Sequence, residues 1–416
     1  MSNKAARSGP IKPDIVVVGI DVAKRRHVAA IRQIDGRVAR PFGFGNDRAG
    51  FEMLVGRAEA AVRASGARRA YFALEATGHY GHVLQQYLLD RGFVVIGINP
   101  AHTKKIKEVF DGSPEKSDAK DAVLISELAA QGRGRPVFQP EGVYADLRRL
   151  GKLREQLTNE RTRCLNRYTG LVDLVFPELV DLVYDVTCPT IRKLFMEFPT
   201  AEAIGRRQYR VIGRRLRDWS IGHFDAARCR AIHEAARTSV GMRPGLDAFA
   251  LQMRQILCSL KLVESQIAEV EAAQTALLAQ VPYAGHLITI PEVSTVTVAT
   301  VLGEAGDLRQ YSTAEALIKL AGLNLYSISS GTFQGRTRIS KRGRPLLRRI
   351  VFLAALRMSK EGRPLAEFHG RLGERLAKPQ VAVAGARKLL RMMYALARDG
   401  VDFREEMLAV KRSEAA

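Results

Sequence analysis

Four acidic residues in this sequence are candidates for catalysis or metal binding, because of their side-chain chemistry and their spacing. Asp21 follows the apolar run "IVVVGI", and Glu75 lies at the end of the run "YFALEA". An acid in a β-strand pattern costs free energy unless it is paired or metal-bound, although Asp21 could cap a turn and Glu75 could face water. Asp118 and Asp121, in "KSDAKDA", have the three-residue spacing of neighbours on one helix face. These acids are candidate ligands for a cation.

The helical pair is aligned with an apolar stripe. Asp118, Asp121, Ile125 and Leu128 follow one another at steps of three, four and three, so both acids share the side of the helix that should be buried. Like charges at one site repel, which favours a cation between them. A second interpretation stays open, because Ser117 could cap this helix and acids are common near a helix N-terminus.

The elements that must position these acids have the pattern of an α/β domain. Strand patterns occupy residues 14–23, 27–34, 69–76 and 93–99 and the segment "RVARPFGF", and helical stripes begin near Phe51 and Tyr80. Three early meandering strands followed by alternating helices and strands predict an RNase-H-like sheet. Its first strand would be central, the fourth its neighbour, and a following helix could close over both. Four carboxylates could then hold two Mg²⁺ ions about 4 Å apart, since oxygen ligands favour Mg²⁺ over zinc.

A serine- and arginine-rich segment lies in the last third of the chain. Candidate nucleophiles are Ser327, Ser329, Ser330 and Ser340, and composition does not choose among them. Seven of the fourteen residues from 336 to 349 are basic. They are Arg336, Arg338, Lys341, Arg342, Arg344, Arg348 and Arg349, and we expect them to contact phosphate. The alternative interpretation is a solvated basic helix end.

The middle of the chain has coiled-coil spacing. Leu150, Leu157, Cys164 and Leu171 repeat every seven residues, and a second seam runs from Phe249 to Leu277. Two long helices are therefore expected to pair with each other, with a partner chain, or both. We predict three regions: 1–135, the RNase-H-like domain; 136–280, the coiled-coil helices with an arginine-rich helical insert at about 178–245; and 281–416, a mostly α-helical domain.

Composition narrows the class of partner. The formal net charge is +22 and the sequence pI is about 10.2, which favours a polyanion such as a nucleic acid. No apolar run is long enough to span a membrane, and no signal peptide is expected at the start. The four cysteines lack CxxC spacing. His27, His79 and His102 lack metal spacing, and are interpreted as surface or hydrogen-bonding residues. A cytoplasmic, nucleoid-associated protein is expected.

The order of several motifs resembles that of the DEDD transposases, a family of insertion-sequence recombinases. The motifs are "GIDVAKRRHVAAI", "LEATGHY", "VVIGINP" and "KSDAKDA", followed by "LAGL", "SSGTFQGRTRISKRG" and "LRR". The segment "IPEVS" departs from the family's pattern, because Glu292 and Ser294 stand where relatives usually carry glycines.

The resemblance implies a RuvC-like N-terminal domain and a C-terminal serine transposase domain. It places the acidic tetrad on Asp21, Glu75, Asp118 and Asp121, and the nucleophilic serine on Ser330. It also implies DNA cleavage and joining for transposition through a phosphoserine link. The expected cofactor is Mg²⁺, with Mn²⁺ as an alternative. The expected partners are the DNA of the element ends and target, a structured non-coding guide RNA, and further copies of the chain as a dimer or tetramer.

Three other functions stay open from the sequence. A Holliday-junction-resolvase-like, structure-specific endonuclease would need only the four acids and would have no use for Ser330. An actin- or sugar-kinase-like ATPase can also begin with "GIDV", but it needs glycine-rich phosphate loops that "DVAKRRH" does not supply. A non-catalytic nucleic-acid scaffold is the interpretation if the acids do not converge.

Overall fold

The chain divides into two compact units, Met1–Gln139 and Pro140–Ala416. The structure, a computed structural model, describes residues 11, 14–75, 78–100, 103–104, 106, 117–137, 140–327, 329–330, 333–335 and 337–408. Leu147, near the start of the second unit, packs in the same core as the C-terminal helices. The finer division that the sequence predicts near residue 280 stays a prediction.

A six-stranded mixed sheet forms the centre of the first unit. Its strands are β1 (Ile15–Asp21), β2 (Arg26–Arg32), β3 (Phe42–Gly45), β4 (Arg69–Glu75), β5 (Val94–Ile98) and β6 (Arg135–Pro136). Their spatial order is β3-β2-β1-β4-β5-β6, with β1 antiparallel to β2 and parallel to β4. The predicted arrangement, in which the first strand is central and the fourth is its neighbour, is the one observed. The short antiparallel strand β6 was not predicted.

The two faces of this sheet bury alternate side chains, because successive residues of a strand point to opposite sides. Val16, Val18 and Ile20 of β1 pack with the helices α1 (Arg48–Ser65) and α2 (His82–Asp90). Val17 lies on the other face and packs with the helix α3 (Asp118–Ala130). Both faces are therefore covered, as expected for strands that read as continuous apolar runs.

Two helices of 33 residues each run through the second unit. They are α4 (Val143–Val175) and α10 (Leu246–Leu278), and they pack against each other. Arg154 of α4 pairs with Glu271 of α10 at 2.7 Å, and Arg161 pairs with Glu264 at 3.1 Å. The partner numbers fall as the α4 numbers rise, so the pair is antiparallel. The heptad seams thus pair within one chain, while a coiled-coil supercoil stays a prediction.

The segment between the long helices forms a small helical subdomain, here called the insert. Its helices are α5 (Leu179–Leu182), α6 (Pro189–Glu197), α7 (Ala201–Gly205), α8 (Tyr209–Ser220) and α9 (Ala226–Thr238). They share a core with Tyr168 and Leu171 of α4 and with Met253 and Leu257 of α10. Trp219, the single tryptophan, packs against this core.

The C-terminal part of the second unit is mostly helical. Its helices are α11 (Ala284–Ile288), α12 (Thr295–Ala305), α13 (Ala314–Leu320), α14 (Pro345–Met358), α15 (Ala366–Gly373) and α16 (Lys378–Asp399), with short 3₁₀ turns at Leu308–Gln310 and Glu405–Leu408. Two pairs of two-residue strands lie between α13 and α14. They are β7 (Leu325–Tyr326) with β10 (Arg338–Ile339), and β8 (Ser329–Ser330) with β9 (Phe333–Gln334). Among the described helices, none has the length and apolar character needed to cross a bilayer.

Candidate functional site

The strand register brings two of the predicted acids to adjacent positions. Asp21 is the last residue of β1 and Glu75 is the last residue of β4, and both are partly buried. The two strands are parallel, and Ile20 is paired with Leu74. The next residue on each strand is the acid, so Asp21 and Glu75 lie side by side at the carboxyl edge of the sheet, about one strand spacing (roughly 4.8 Å) apart in the backbone.

The alternation of side chains assigns both acids to the face that α3 covers. Asp21 is two residues beyond Gly19 and four beyond Val17, and Glu75 is two residues beyond Ala73. Val17 and Ala73 belong to the cluster that packs with Ile125 of α3. Asp118 and Asp121 form the first turn of the same helix.

A glycine fixes how α3 crosses β1. A Cβ at Gly19 would lie 2.2 Å from the carbonyl oxygen of Ala122 and 2.4 Å from the amide nitrogen of Ser126, so the helix backbone rests directly on the strand. Farther along α3, Glu127 pairs with Arg32, which lies opposite Val17. The helix therefore runs backwards over β1, and its first turn extends from Gly19 towards Asp21.

The acids are not held as a close-packed metal cluster. Within the described part of the chain, no group of three or more histidine, cysteine, aspartate or glutamate side chains is arranged to hold a metal ion. Glu75 Oε2 accepts a hydrogen bond of 3.3 Å from Thr103 Oγ1. Ser117 is the N-cap residue of α3, with Asp118 and Asp121 in the first turn, and its side chain makes no cap hydrogen bond. The strand register makes Asp21 and Glu75 neighbours, Asp118 and Asp121 begin α3, and the convergence of the four acids on one metal site stays a prediction.

The turn that follows Asp21 is held by a buried histidine. His27 is fully buried in β2, beside the rings of Phe44 and Phe51. Its Nδ1 accepts a 3.1 Å hydrogen bond from the amide of Ala23, two residues after Asp21. Burial lowers the pKa of His27 from 6.5, so the ring is neutral at pH 7. Of the predicted surface or hydrogen-bonding histidines, His27 is therefore an internal one; His79 is exposed, and His102 lies outside the described residues.

The predicted nucleophile is on a short hairpin of the second unit. Ser330 is the last residue of β8, is exposed, and is paired with Phe333 of β9. Ser329 is its neighbour on β8. Ser340, another candidate, donates a 2.5 Å hydrogen bond to Asn324 Oδ1, which ties its hydroxyl to the fold.

Two glycines join the "LAGL" and "KRG" motifs. A Cβ at Gly343 would lie 2.2 Å from the carbonyl oxygen of Leu320, and one at Gly322 would lie 2.9 Å from the carbonyl carbon of Lys341. Gly322 has a φ of +69°, which favours glycine. The amide of Lys341 donates to the Gly322 carbonyl at 3.0 Å. The two motifs are thus one packed structure that presents the basic loop ahead of α14.

The seven predicted phosphate-binding residues differ in exposure. Arg338, Lys341, Arg342 and Arg349 are exposed, whereas Arg344 and Arg348 are partly buried. Arg344 is directed inwards to the buried Glu304, at 3.8 Å, and Arg348 donates to the carbonyl of Ala321 at 2.9 Å. These two arginines hold the fold together, and phosphate contact by the exposed residues stays a prediction. Arg336 lies outside the described residues.

In the "IPEVS" turn, a residue other than glycine has a backbone conformation that favours glycine. Glu292 has a φ of +67°, in the left-handed region. Its side chain pairs with Arg363 at 3.0 Å, and its carbonyl accepts a 3.4 Å hydrogen bond from Arg357. Ser294 caps α12 by accepting from the amide of Thr297. Glu292 therefore has a backbone conformation that favours glycine, and both its side chain and its carbonyl are held by arginines.

Sequence reasoning did not identify Gly19, His27 or Glu304. An isolated glycine in the strand pattern "VVVGID" was a usable signal, because glycine inside a strand marks a close approach of another backbone. Glu304 left no such signal, since its pairing with Arg148 at 3.7 Å and with Arg344 joins residues far apart in the chain.

Comparison with known proteins identifies the family. The IS110-type DEDD family model, described as "Transposase", matches residues 18–177. A second model, described as "Transposase IS116/IS110/IS902 family", matches residues 284–369. Together the two matches span more than half of the chain.

The chain belongs to the IS116/IS110 family of transposases.

Relatives of this transposase extend over nearly its whole length. It is 25% identical over 391 residues to the protein of insertion element IS116 of Streptomyces clavuligerus, an alignment that covers 93% of this chain and 95% of the relative. It is also 25% identical over 324 residues to the protein of insertion element IS110 of Streptomyces coelicolor, covering 77% and 80%.

Among solved structures, the transposase is similar to T. thermophilus RuvC in complex with a Holliday junction substrate. The sequence identity is 18% and the TM-score is 0.21, and the likeness covers 30% of this chain and 99% of RuvC. The sheet is described by its strand order and not by this likeness, because the TM-score is low.

Proposed function

We propose that this transposase cuts and rejoins DNA through a divalent-metal site at Asp21, Glu75, Asp118 and Asp121 and through nucleophilic attack by Ser330. The observation that carries the proposal is the shared sheet edge. The β1–β4 register supports this edge as the position of Asp21 and Glu75, and the seating of α3 on Gly19 supports the approach of Asp118 and Asp121 to it. A structural role alone gives no reason for four like charges at one edge, because their mutual repulsion costs free energy.

The donor set fits a hard divalent cation. The four residues supply only oxygen ligands, which suit Mg²⁺, and also Mn²⁺. Such ions, when bound, neutralise charge on a phosphodiester and on the oxygen that leaves it. Asp21 and Glu75 would hold the metal from the sheet, and Asp118 and Asp121 would hold it from the helix. Thr103, as a donor to Glu75, would orient that carboxylate.

Ser330 is proposed as the nucleophile because its hairpin presents an exposed hydroxyl. The hydroxyl oxygen attacks phosphorus, the serine proton passes to a base or water, and the bond from phosphorus to the leaving sugar oxygen breaks. That oxygen takes up a proton, and a sugar hydroxyl of the new strand later displaces the serine. Exposed Arg338, Lys341 and Arg342 would neutralise the phosphate during attack.

The acids and Ser330 lie in different compact units. The proposal therefore requires both units to act on one DNA, within a protomer or across two copies. By resemblance to the family, we also propose that a structured non-coding RNA guides the choice of DNA, and that the active form is a homo-oligomer, a dimer or tetramer. Association with the nucleoid would follow from the net charge of +22.

The metal site can be tested by binding. Mn²⁺ titration followed by electron paramagnetic resonance should show ions bound to the wild type, and Asp121→Asn should weaken their binding by about tenfold or more. Glu127→Gln is the matched control, because Glu127 is on the same helix but pairs with Arg32. Equal Mn²⁺ binding by the wild type and Asp121→Asn would exclude the acids as metal ligands.

The nucleophile can be tested by trapping. Reaction with end-labelled DNA, followed by denaturing electrophoresis, should give a covalent adduct with the wild type and none with Ser330→Ala. Ser329→Ala is the control and should keep the adduct, because the proposal assigns the attack to Ser330 alone. An adduct that survives Ser330→Ala would refute the assignment. Cleavage with no adduct in any variant would instead indicate a resolvase-like endonuclease.

A further inference from the structure

The insert lies at the end of the α4–α10 helix pair that is remote from the C-terminal helices. Its core includes Leu171 of α4, whereas Leu147 of α4 belongs to the C-terminal core. The 24 residues between these positions span about 36 Å at 1.5 Å per residue of helix. The insert therefore presents a surface well away from the Ser330 hairpin, although both belong to one compact unit.

The start of α8 carries a run of arginines. Six of the twelve residues from 206 to 217 are arginine and none is acidic. They are Arg206, Arg207, Arg210, Arg214, Arg215 and Arg217, and all six are exposed. Ile212 and Leu216 are buried in the insert core, so the helix is anchored on its apolar side. The arginine side of α8 consequently faces outwards.

Three of these arginines, here called the insert stripe, follow one line along α8. Arg210, Arg214 and Arg217 are separated by four and three residues, which places them on one face of the helix, whereas Arg207 precedes its first residue, Tyr209. From Arg210 to Arg217 the stripe extends about 10 Å. Neighbouring positions on this face have the same charge, and like charges at such spacing destabilise a helix. An arrangement of this kind is stabilised when a polyanion lies along it.

Ion pairs separate the arginines into two sets. Arg206 pairs with Glu202, and Arg215 pairs with Glu197 at 3.3 Å. In the stripe, Arg214 lies 3.8 Å from Asp218. Within the described residues, neither Arg210 nor Arg217 has an acidic side chain in ion-pair range. These two guanidinium groups therefore have the greatest capacity to bind an external anion.

The neighbouring helix extends the basic surface. Arg230 of α9 is exposed, with its guanidinium 5.4 Å from the ring centre of Tyr209. Tyr209 donates a 3.2 Å hydrogen bond to the carbonyl of Ala226, and His233 of α9 bonds the Arg207 carbonyl at 2.7 Å. These contacts fix α9 beside the first turn of α8. Arg230 thus adds a further cation next to Arg207.

We propose that the insert stripe, with Arg230, binds the phosphate backbone of a nucleic acid. A planar guanidinium group can bind a phosphate through two parallel N–H donors. A row of arginines therefore suits phosphate binding better than a row of lysines. The proposal assigns contact with the phosphate backbone, which positions a nucleic acid without reading its sequence. The partner is a duplex DNA or a structured RNA, and both present the same chemistry. The proposal uses none of the residues of the proposed metal site and does not use Ser330, so the two proposals can fail independently.

The test is a comparison of two double variants of the full-length protein. Arg210→Gln with Arg217→Gln removes the two arginines that lack acidic partners. Arg206→Gln with Arg215→Gln removes the same charge from the same segment, but from arginines already paired with glutamates. Binding is measured by fluorescence anisotropy, in EDTA, with a 20-base-pair DNA duplex and with an RNA hairpin. Circular dichroism confirms that each variant is folded.

The stripe variant should bind at least one of the probes about tenfold more weakly at 0.1 M salt. The slope of log affinity against log salt should also fall by about two, one for each lost phosphate contact. The control should keep the wild-type affinity and slope. Arg210→Lys with Arg217→Lys should keep most of the slope, since the charges remain. A loss confined to one probe identifies that nucleic acid as the ligand. Equal effects of the stripe and control variants, or no effect of either, would overturn the proposal.

Discussion

At the scale of single residues, His27 connects burial with the geometry of a candidate catalytic acid. Its neutral ring accepts a hydrogen bond from Ala23, and this bond closes the turn directly after Asp21. Protonation at Nδ1 would remove the acceptor and place a charge among the Phe44 and Phe51 rings. The position of Asp21 therefore depends on a histidine that stays neutral.

The lowered pKa of His27 predicts acid sensitivity of the first unit. The unfolded chain binds a proton near pH 6.5, and the folded chain binds it only at lower pH. The neutral ring of His27 therefore contributes fully to the stability of the folded unit above pH 6.5. This contribution is lost as the pH falls through the lower pKa that the ring has in the folded state. Hydrogen-exchange protection of β1 and β2 should decrease between pH 7 and pH 5, and His27→Asn should reduce that decrease.

Hydrogen exchange is the suitable probe because tryptophan fluorescence would not report on the first unit. The single tryptophan, Trp219, lies in the second unit. His223→Asn serves as the control, since His223 is exposed and lies in the insert. An unchanged pH response in His27→Asn would show that other groups titrate instead.

At the scale of elements, the contact between α3 and β1 decides whether the acids meet. Gly19 lets the backbone near Ala122 and Ser126 rest on the strand, because a Cβ at residue 19 would lie only 2.2 and 2.4 Å from their backbone atoms. Backbone atoms cannot move aside as a flexible side chain would. Displacing the helix would move Asp118 and Asp121 relative to Asp21.

We predict that Gly19→Ala destabilises the first unit by about 1–3 kcal/mol, the usual cost of overpacking. It should also weaken Mn²⁺ binding, because the helix acids move relative to the strand acids. Gly56→Ala is the control: Gly56 lies on exposed α1 with open space around it, and alanine there should stabilise by about 0.5–1 kcal/mol. Hydrogen exchange and Mn²⁺ titration measure both effects. A fully stable Gly19→Ala with wild-type Mn²⁺ affinity would contradict the proposed seating of α3.

At the scale of the whole molecule, the long helices satisfy much of their apolar seam within one chain. Cys164, Leu260 and Val263 are buried by this pairing and the adjacent core. On the outer side of α10, Leu251 and Leu262 are 58% and 59% exposed and lie eleven residues, or about three turns, apart. This outer face is available to another copy of the chain.

We predict that the protein is a dimer or larger assembly and that the outer face of α10 contributes to it. Multi-angle light scattering at micromolar concentration should give at least twice the 46.0 kDa of one chain. Leu251→Glu with Leu262→Glu should shift the protein towards the monomer, since charges at an apolar contact are costly. Val211→Glu, at an exposed position of the insert, is the control. A monomeric wild type, with and without nucleic acid, would refute the prediction.

The sequence by itself determined the features that depend on local spacing. Strand and helix periods identified the mixed sheet, the two long helices and the insert, because side-chain periodicity is set within a few residues. The four acids and the basic segment were found for the same reason, as each belongs to a short motif. The helix α15 and the strand β6 were missed, since a short element leaves a weak periodic signal.

The tertiary structure decided what depends on contacts between distant segments. Parallel pairing of β1 with β4 made Asp21 and Glu75 neighbours, and the close approach at Gly19 determined the direction of α3. It also turned Arg344 inwards to Glu304, an ion pair that the basic segment did not predict. Residues 304 and 344 are forty apart in the chain, so only packing could bring them together. A buried cation needs a partner anion to offset desolvation, and no local pattern reveals where that partner lies.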